Sequence, residues 1–367
     1  MPCPPLATPA LLLDLDRFER NLARMAAHAH AAGVALRPHA KTHKCAEIAR
    51  AQIAAGAVGL CCAKLGEAEA LADAGLDGLL VTSPQVTPDA FARLIALSAR
   101  AAGTRAVCDD PRIAKAMGAA AQAARAELAV LVDLDVGQGR SGCASVEDAL
   151  ALARRIAATP GLRLEGIQAY AGHAMHITGS AARRAELERV ARRVAGLRDA
   201  LTAIGLAPGI VTGGGTGSFG IDAGLGVFTE LQVGSYVFMD REYDDIWTEA
   251  GESAPFEPAL TLLATVTSAN HPSHCTIDAG CKALATDAGL PRVIAGAPAG
   301  TRYAFFGDEQ GRLIYPEGIT RALAPGDRVV LQPAHCDPTV NLHDTLHAVR
   351  GGALAASWPI TARGRCR

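Results

Sequence analysis

Short apolar and β-branched runs alternate with longer Ala-rich stretches through the first two thirds of the chain. The runs Val34–Arg37, Val58–Cys62, Gly78–Val81, Thr104–Cys108, Leu128–Asp133, Arg163–Tyr170, Ile210–Thr212 and Leu231–Phe238 read as buried strands. Between them, stretches such as 64–76 and 180–205 carry apolar residues at helical spacing, the second closing on Gly205 as a C-cap. Eight such strands alternating with helices predict a (β/α)8 TIM-type barrel; a doubly wound open sheet is the competing fold. No GxGxxG opens a helix after the first strand, which disfavours the dinucleotide-binding version of that sheet. After Glu249 the texture changes: 262–269, 274–280, 303–314 and 327–333 look like strands separated by Gly, Pro and Asp turns. The expected division is a barrel over 17–249 and a β domain over 250–367, joined by the strand-like N-terminal segment 1–16.

Bulk properties narrow the class. Half of the 367 residues are hydrophobic, so a large core is available. The net charge of −2 and the lack of a basic tract argue against a nucleic-acid partner. Ten cysteines are scattered without a CxxC pair, which suits a reducing compartment. The N-terminus has neither a basic leader nor a long apolar stretch, so no signal peptide or membrane helix is expected. These features fit a cytoplasmic enzyme.

Five motifs can carry chemistry. RPHAKTHK, Arg37–Lys44, crowds cations at a strand end, where barrel active sites lie. On a continued strand Arg37, His39 and Lys41 would point one way. A lysine among other cations can act as a neutral nucleophile toward an aldehyde; a plain basic loop is the other reading. VTGGGTGS, Val211–Ser218, follows the seventh strand, and glycines there bring backbone N–H groups close to a phosphate, with Thr212, Thr216 and Ser218 as hydroxyl donors. Val132–Gly142 ends a strand with acids, glycines and Arg140, which can orient an anionic oxygen. The sixth strand ends with Gln168 and Tyr170 on one face and His173 and His176 just beyond. In QPAHCDPTVNLHD, His335 and Asp337 would share a strand face and could grip one metal ion, with Cys336 pointing away.

Together these pieces make the chain similar to the D-threonine aldolase and D-serine dehydratase family. The most specific parts are RPHAKTHK, DVGQGRSG, the TGGGT run and HCDPTVNLHD, and the resemblance covers nearly the whole chain. It implies the alanine racemase-like barrel and pyridoxal 5'-phosphate (PLP). It places PLP on Lys41, with Lys44 as alternative, beside His39. Arg140, Gln168 and Tyr170 would lie along the ring, and Thr212, Gly213, Gly214, Gly215, Thr216 and Tyr236 around the phosphate. A divalent ion would sit on His335 and Asp337. The dehydratase branch looks like His-x-Cys with zinc, the aldolase branch like His-x-Asp with manganese. Asp337 therefore puts the aldolase reading ahead, with Mn2+ first and Mg2+, Co2+ or Zn2+ as alternatives. The implied reaction is cleavage of a D-3-hydroxy amino acid, such as D-threonine, to glycine and an aldehyde, with His173 or His176 as base. Dehydration of D-serine or D-3-hydroxyaspartate is the alternative. A racemase needs two bases and no metal, which the His335/Asp337 pair disfavours. A PLP carrier protein is a single barrel, which the β domain disfavours. The resemblance also implies a homodimer.

Overall fold

The structure, a computed structural model, describes residues 4–367; residues 1–3 of the segment assigned to the β domain lie outside them. The chain divides into two compact units. One comprises the segment up to Arg24, Thr42–Cys45 and Ser235–Arg363; the other comprises Met25–Lys41, Ala46–Gly234 and Gly364–Arg367.

Strand β1 (Ala10–Asp14) and helix α1 (Leu15–Ala32) come first. The strands β2 (Ala35–Leu36), β3 (Leu60–Cys62), β4 (Leu79–Val81), β5 (Arg105–Cys108), β6 (Leu128–Asp133), β7 (Leu162–Ala169), β8 (Ile210–Gly213) and β9 (Glu230–Leu231) follow. Each of the first seven leads into a helix: α2 (Ala46–Ala54), α3 (Leu65–Asp73), α4 (Pro88–Arg100), α5 (Pro111–Ala123), α6 (Val146–Ala157), α7 (Ser180–Ala203) and α8 (Phe219–Gly224). All neighbours pair in parallel, in the order β2-β9-β8-β7-β6-β5-β4-β3. The ring closes through a parallel bridge between His39 and Cys61, with Cys61 N–H on Pro38 O and Val58 N–H on Leu36 O. The helices start where local chemistry sets them: Thr87, Asp110 and Ser145 cap α4, α5 and α6 through side-chain oxygens, and Pro88 and Pro111 follow two of these caps.

The bore is layered. At its N-terminal end Arg37 makes a buried, bidentate pair with Glu230 at 2.8 Å, and Arg105 pairs with Glu165. Above them Cys61, Leu80, Val107 and Leu131 form an apolar layer against Ile210. In β7 the register shifts by one at Glu165, so that Gly166 and Gln168 pair with Leu131 and Asp133. Polar side chains then fill the C-terminal mouth.

Two expectations need correction. The run Leu231–Phe238 is not one strand: β9 ends at Leu231, and Ser235–Val237 is a 3-10 turn. Nor does a strand carry Arg37, His39 and Lys41 together. β2 is two residues long, Lys41 lies on the 3-10 turn Ala40–Thr42, and the Arg37 guanidinium turns to Gly78 O at the far end of the bore.

The other unit holds helix α9 (Arg241–Glu249), strands β10 (Leu260–Ser268), β11 (His274–Ile277), β12 (Arg292–Ala295), β13 (Arg302–Phe305), β14 (Gly311–Ile314) and β15 (Arg328–Gln332), the short helix α10 (Cys336–Val340), and strands β16 (Thr345–Arg350) and β17 (Ala353–Pro359). Its sheet runs β13-β14-β11-β10-β1-β16-β17, with β15 bridging β10 and β12. It is antiparallel except where β1 lies parallel to β16, so the N-terminal strand joins this sheet. Ala10, Leu12, Leu263 and Val330 pack on one face. Among the described residues there is no disulfide, and seven of nine cysteines are buried. None of the described helices is long and apolar enough to cross a membrane.

Candidate active site

The barrel mouth is a hydrogen-bonded polar layer. Lys41 N–H points at His39 Nδ1 (3.4 Å), His39 Nε2 lies 3.2 Å from Thr82 Oγ1, and Thr82 Oγ1 donates to Cys62 O (3.1 Å). This chain ties the His39 ring to the strand ends directly before the lysine turn. Gln168 Nε2 donates to Thr82 O (3.1 Å) and Asp133 Oδ1 (3.0 Å), and its carbonyl accepts from Gln232 (3.3 Å). Ser141 Oγ closes on Asp133 Oδ2 at 2.9 Å. Burial pushes the Asp133 carboxyl up to about 6, against the lowering effect of Gln168 and Ser141. Asp133, Gln168 and Thr212 lie side by side on β6, β7 and β8, so all three face the bore. The Thr212 hydroxyl is buried and has no hydrogen-bond partner among the described residues.

The glycine run is packed from behind. A Cβ on Gly213 would stand 2.5 Å from Phe228 Cε1, one on Gly214 2.7 Å from Asp222 Oδ2, and one on Gly215 2.6 Å from Met175 Sδ. Gly214 also has φ +70°, where side chains are strained. Ser218 locks the loop: its Oγ accepts from Gly215 N–H (3.1 Å) and donates to buried Asp222 (2.5 Å), whose carboxyl burial raises to about 7. The buried Arg183 of α7 donates to Gly217 O at 3.1 Å. Such a loop presents backbone N–H groups at close range and fits a phosphate. Together with the orphan Thr212 hydroxyl, it makes this mouth suited to a phosphate-bearing ligand.

Tyr170 stands at the rim, with the Arg140 guanidinium 5.8 Å from its ring centre. His173 and His176 share the 3-10 turn Gly172–His176. His173 Nε2 meets Glu186 at 2.6 Å, while its Nδ1 is buried without a hydrogen-bond partner among the described residues. Arg189, then His173, hold the Glu186 carboxyl down to about 2. His176 is exposed at the end of the turn. Tyr236 belongs to the other unit, buried edge-on against Phe256.

The other unit also carries His335 and Asp337. They are not on a strand: β15 ends at Gln332, His335 is the extended N-cap of α10, and Asp337 lies in its first turn. Pro333 cannot extend the ladder, whereas Pro338 is tolerated in a first helical turn. Cys336 is buried and gives its N–H to Asp240 (3.1 Å). Burial raises the Asp240 carboxyl, opposed by the N–H groups of Cys336 and Tyr243. Burial disfavours charge on His335, yet Asp337, Asp287 and Asp240 together raise its pKa. Among the described residues no group of three or more His, Cys, Asp or Glu is placed to hold a metal ion. His335 and Asp337 bring one nitrogen and one oxygen donor to the same short turn, two positions apart.

Sequence reasoning missed Thr82, Asp133, Ser141, Arg183, Glu186, Asp222, Gln232, Asp240 and Asp287. Only Asp133 carried a signal, as a carboxylate closing an apolar strand.

Comparisons with known proteins agree across the chain. Residues 13–242 match the alanine racemase N-terminal domain, and 259–349 a putative serine dehydratase domain. The chain is 42% identical over 371 residues to a D-threonine aldolase of an Arthrobacter species, covering 100% of this chain and 96% of that one. It is 38% identical over 364 residues to a 3-hydroxy-D-aspartate aldolase of Paracoccus denitrificans, covering 98% and 93%. The crystal structure of a D-threonine aldolase from Filomicrobium marinum superposes with a TM-score of 0.92 at 40% identity, covering 98% and 96%.

Proposed function

Because the chain belongs to the family in which an alanine racemase-type N-terminal domain precedes a serine dehydratase-type domain, we propose that it is a PLP-dependent lyase cleaving D-threonine and other D-3-hydroxy amino acids to glycine and an aldehyde. The observation that carries this reading is 42% and 38% identity, along nearly the whole chain, to aldolases named for D-threonine and 3-hydroxy-D-aspartate.

Lys41 would hold the cofactor covalently, Gly213–Thr216 its phosphate, and Thr212 would gain a partner for its orphan hydroxyl. Gln168, Tyr170 and Arg140 would bound the ring. When bound, PLP supplies an electron sink for the charge left at Cα as Cα–Cβ breaks. The chain's own residues do the rest. His39, held between Thr82 and the Lys41 N–H, would orient the lysine turn. The proton of the β-hydroxyl must be removed, and His173 and His176 are the two bases on the turn after β7. Glu186 occupies Nε2 of His173, so only its Nδ1 could take that proton. His335 and Asp337 would hold a divalent ion, with Mn2+ or Mg2+ suited to the carboxylate and a Lewis-acid role toward the hydroxyl.

The test is product analysis on D-threonine and D-allo-threonine with PLP and Mn2+. Glycine with acetaldehyde is expected. A 2-oxo acid with ammonia would make the protein a dehydratase, and L-threonine would make it a racemase. His173→Ala and His176→Ala, assayed separately, assign the base.

A further inference from the structure

We infer that Asp287 is a positioning residue that orients the His335 imidazole for the divalent ion, an inference that rests on the metal reading above. Asp287 Oδ2 lies 2.7 Å from His335 Nδ1. A histidine whose Nδ1 proton is taken by a carboxylate presents the lone pair of Nε2, in a fixed plane and with increased basicity. The two residues are 48 positions apart, so this contact is not local turn chemistry.

A half-exposed acid beside a histidine would ordinarily be a weak surface pair. Here the segment that carries it is stitched to the ligand turn at two further points. Ala285 N–H donates to Thr339 Oγ1 (3.2 Å), and Thr339 Oγ1 gives its proton to His335 O (2.7 Å). His343 Nε2 meets Ala283 O at 2.9 Å. Residues 283, 285 and 287 thus pair in reverse order with 343, 339 and 335. The carboxylate is delivered to the imidazole by a backbone already anchored on α10. From the inner side, buried Asp240 holds the ligand turn through Cys336 N–H. The ligand is therefore fixed from behind through its backbone and from the side through its ring.

The experiment measures Mn2+ affinity of the PLP-loaded enzyme by the EPR signal of unbound Mn2+, with the visible absorbance of the cofactor as a control. Asp287→Ala should weaken Mn2+ binding by about 10- to 100-fold and leave the absorbance unchanged. Asp287→Asn keeps an acceptor for the Nδ1 proton and should fall between Asp287→Ala and wild type. His335→Ala should abolish specific binding. Wild-type affinity in Asp287→Ala, beside loss in His335→Ala, overturns the positioning role and leaves the metal reading intact. Equal, near-complete loss in both Asp287 variants would make Asp287 a ligand and likewise overturn it. Unchanged Mn2+ binding in His335→Ala, or none in wild type, overturns the metal reading and this inference with it.

Discussion

Gly214→Ala is the sharpest probe of the glycine cradle. Gly214 has φ +70°, a conformation that costs an L-residue roughly 1–2 kcal/mol. The new methyl would also stand 2.7 Å from Asp222 Oδ2 and 3.1 Å from Leu231 Cδ2. Asp222 is 1% exposed and tied to Ser218 at 2.5 Å, so it cannot retreat without breaking the bond that shapes the loop. Overpacking of this kind adds about 1–3 kcal/mol. The combined cost, roughly 2–5 kcal/mol, divides between folding stability and cofactor affinity. If all of it fell on affinity, PLP binding would weaken by roughly 30-fold to several thousand-fold. Gly220→Ala is the control: that glycine lies in α8 with nothing within 4 Å of its added Cβ, and the change should be neutral or stabilising by up to about 1 kcal/mol. Urea denaturation of the apoprotein and an absorbance titration with PLP measure the two parts. If Gly214→Ala matches Gly220→Ala in both, the loop is not the strained, close-packed cradle described.

Three further outcomes are expected. Borohydride reduction of the PLP-loaded protein should label Lys41, and Lys41→Ala should lose both label and activity; label on Lys44 would move the cofactor. Arg37→Leu should cost about 3–5 kcal/mol by stranding buried Glu230, with much of it regained in Arg37→Leu/Glu230→Leu; a single-variant cost below about 1 kcal/mol in urea melts would refute a buried ion pair. Asp133 has a carboxyl pKa raised to about 6 by burial, so the folded state binds its proton more tightly than the unfolded chain. Its stabilising contribution is fully present below the ordinary carboxylate range and is lost as pH rises through about 6. Apoprotein Asp133→Asn should lack that decline, and parallel stability curves for variant and wild type from pH 4 to 7 would contradict it.

The barrel was legible because its strands are buried on both faces. A parallel strand such as β6 needs an unbroken apolar run, and Leu128–Asp133 has one with sharp ends. Leu231–Phe238 carries apolar and aromatic residues interrupted by Gln232, Gly234 and Ser235, and it fails as one strand for a reason that lies in the fold. After Leu231 the chain leaves the parallel sheet, and from Ser235 it belongs to the other unit, with Met239 at φ +49°. From Ser235 on, the buried residues Tyr236, Val237 and Phe238 belong to that unit, and burial rather than strand geometry is what the apolar positions record. β2 and β9, two residues each, are held by the ring they close and not by their own propensity.

The site was legible where backbone chemistry demands a residue type and illegible where side chains meet across the fold. Gly213–Gly215 stand out in the sequence because only glycine tolerates their contacts. Thr82 and Gln232 look like ordinary polar residues beside strands and join a network only when the ring brings them to Gln168. The His335/Asp337 pair shows both sides of this. His335 and Asp337 were visible from their spacing, though the strand inferred from it was wrong: His335 is extended at φ −136°, and the helix begins one residue later. Asp287 was invisible, because it reaches His335 through a 48-residue detour and a backbone stitch at Ala285. Spacing finds groups that bind together on one short segment. Asp287 meets the His335 ring from another segment of the chain, where spacing along the sequence leaves no trace of it.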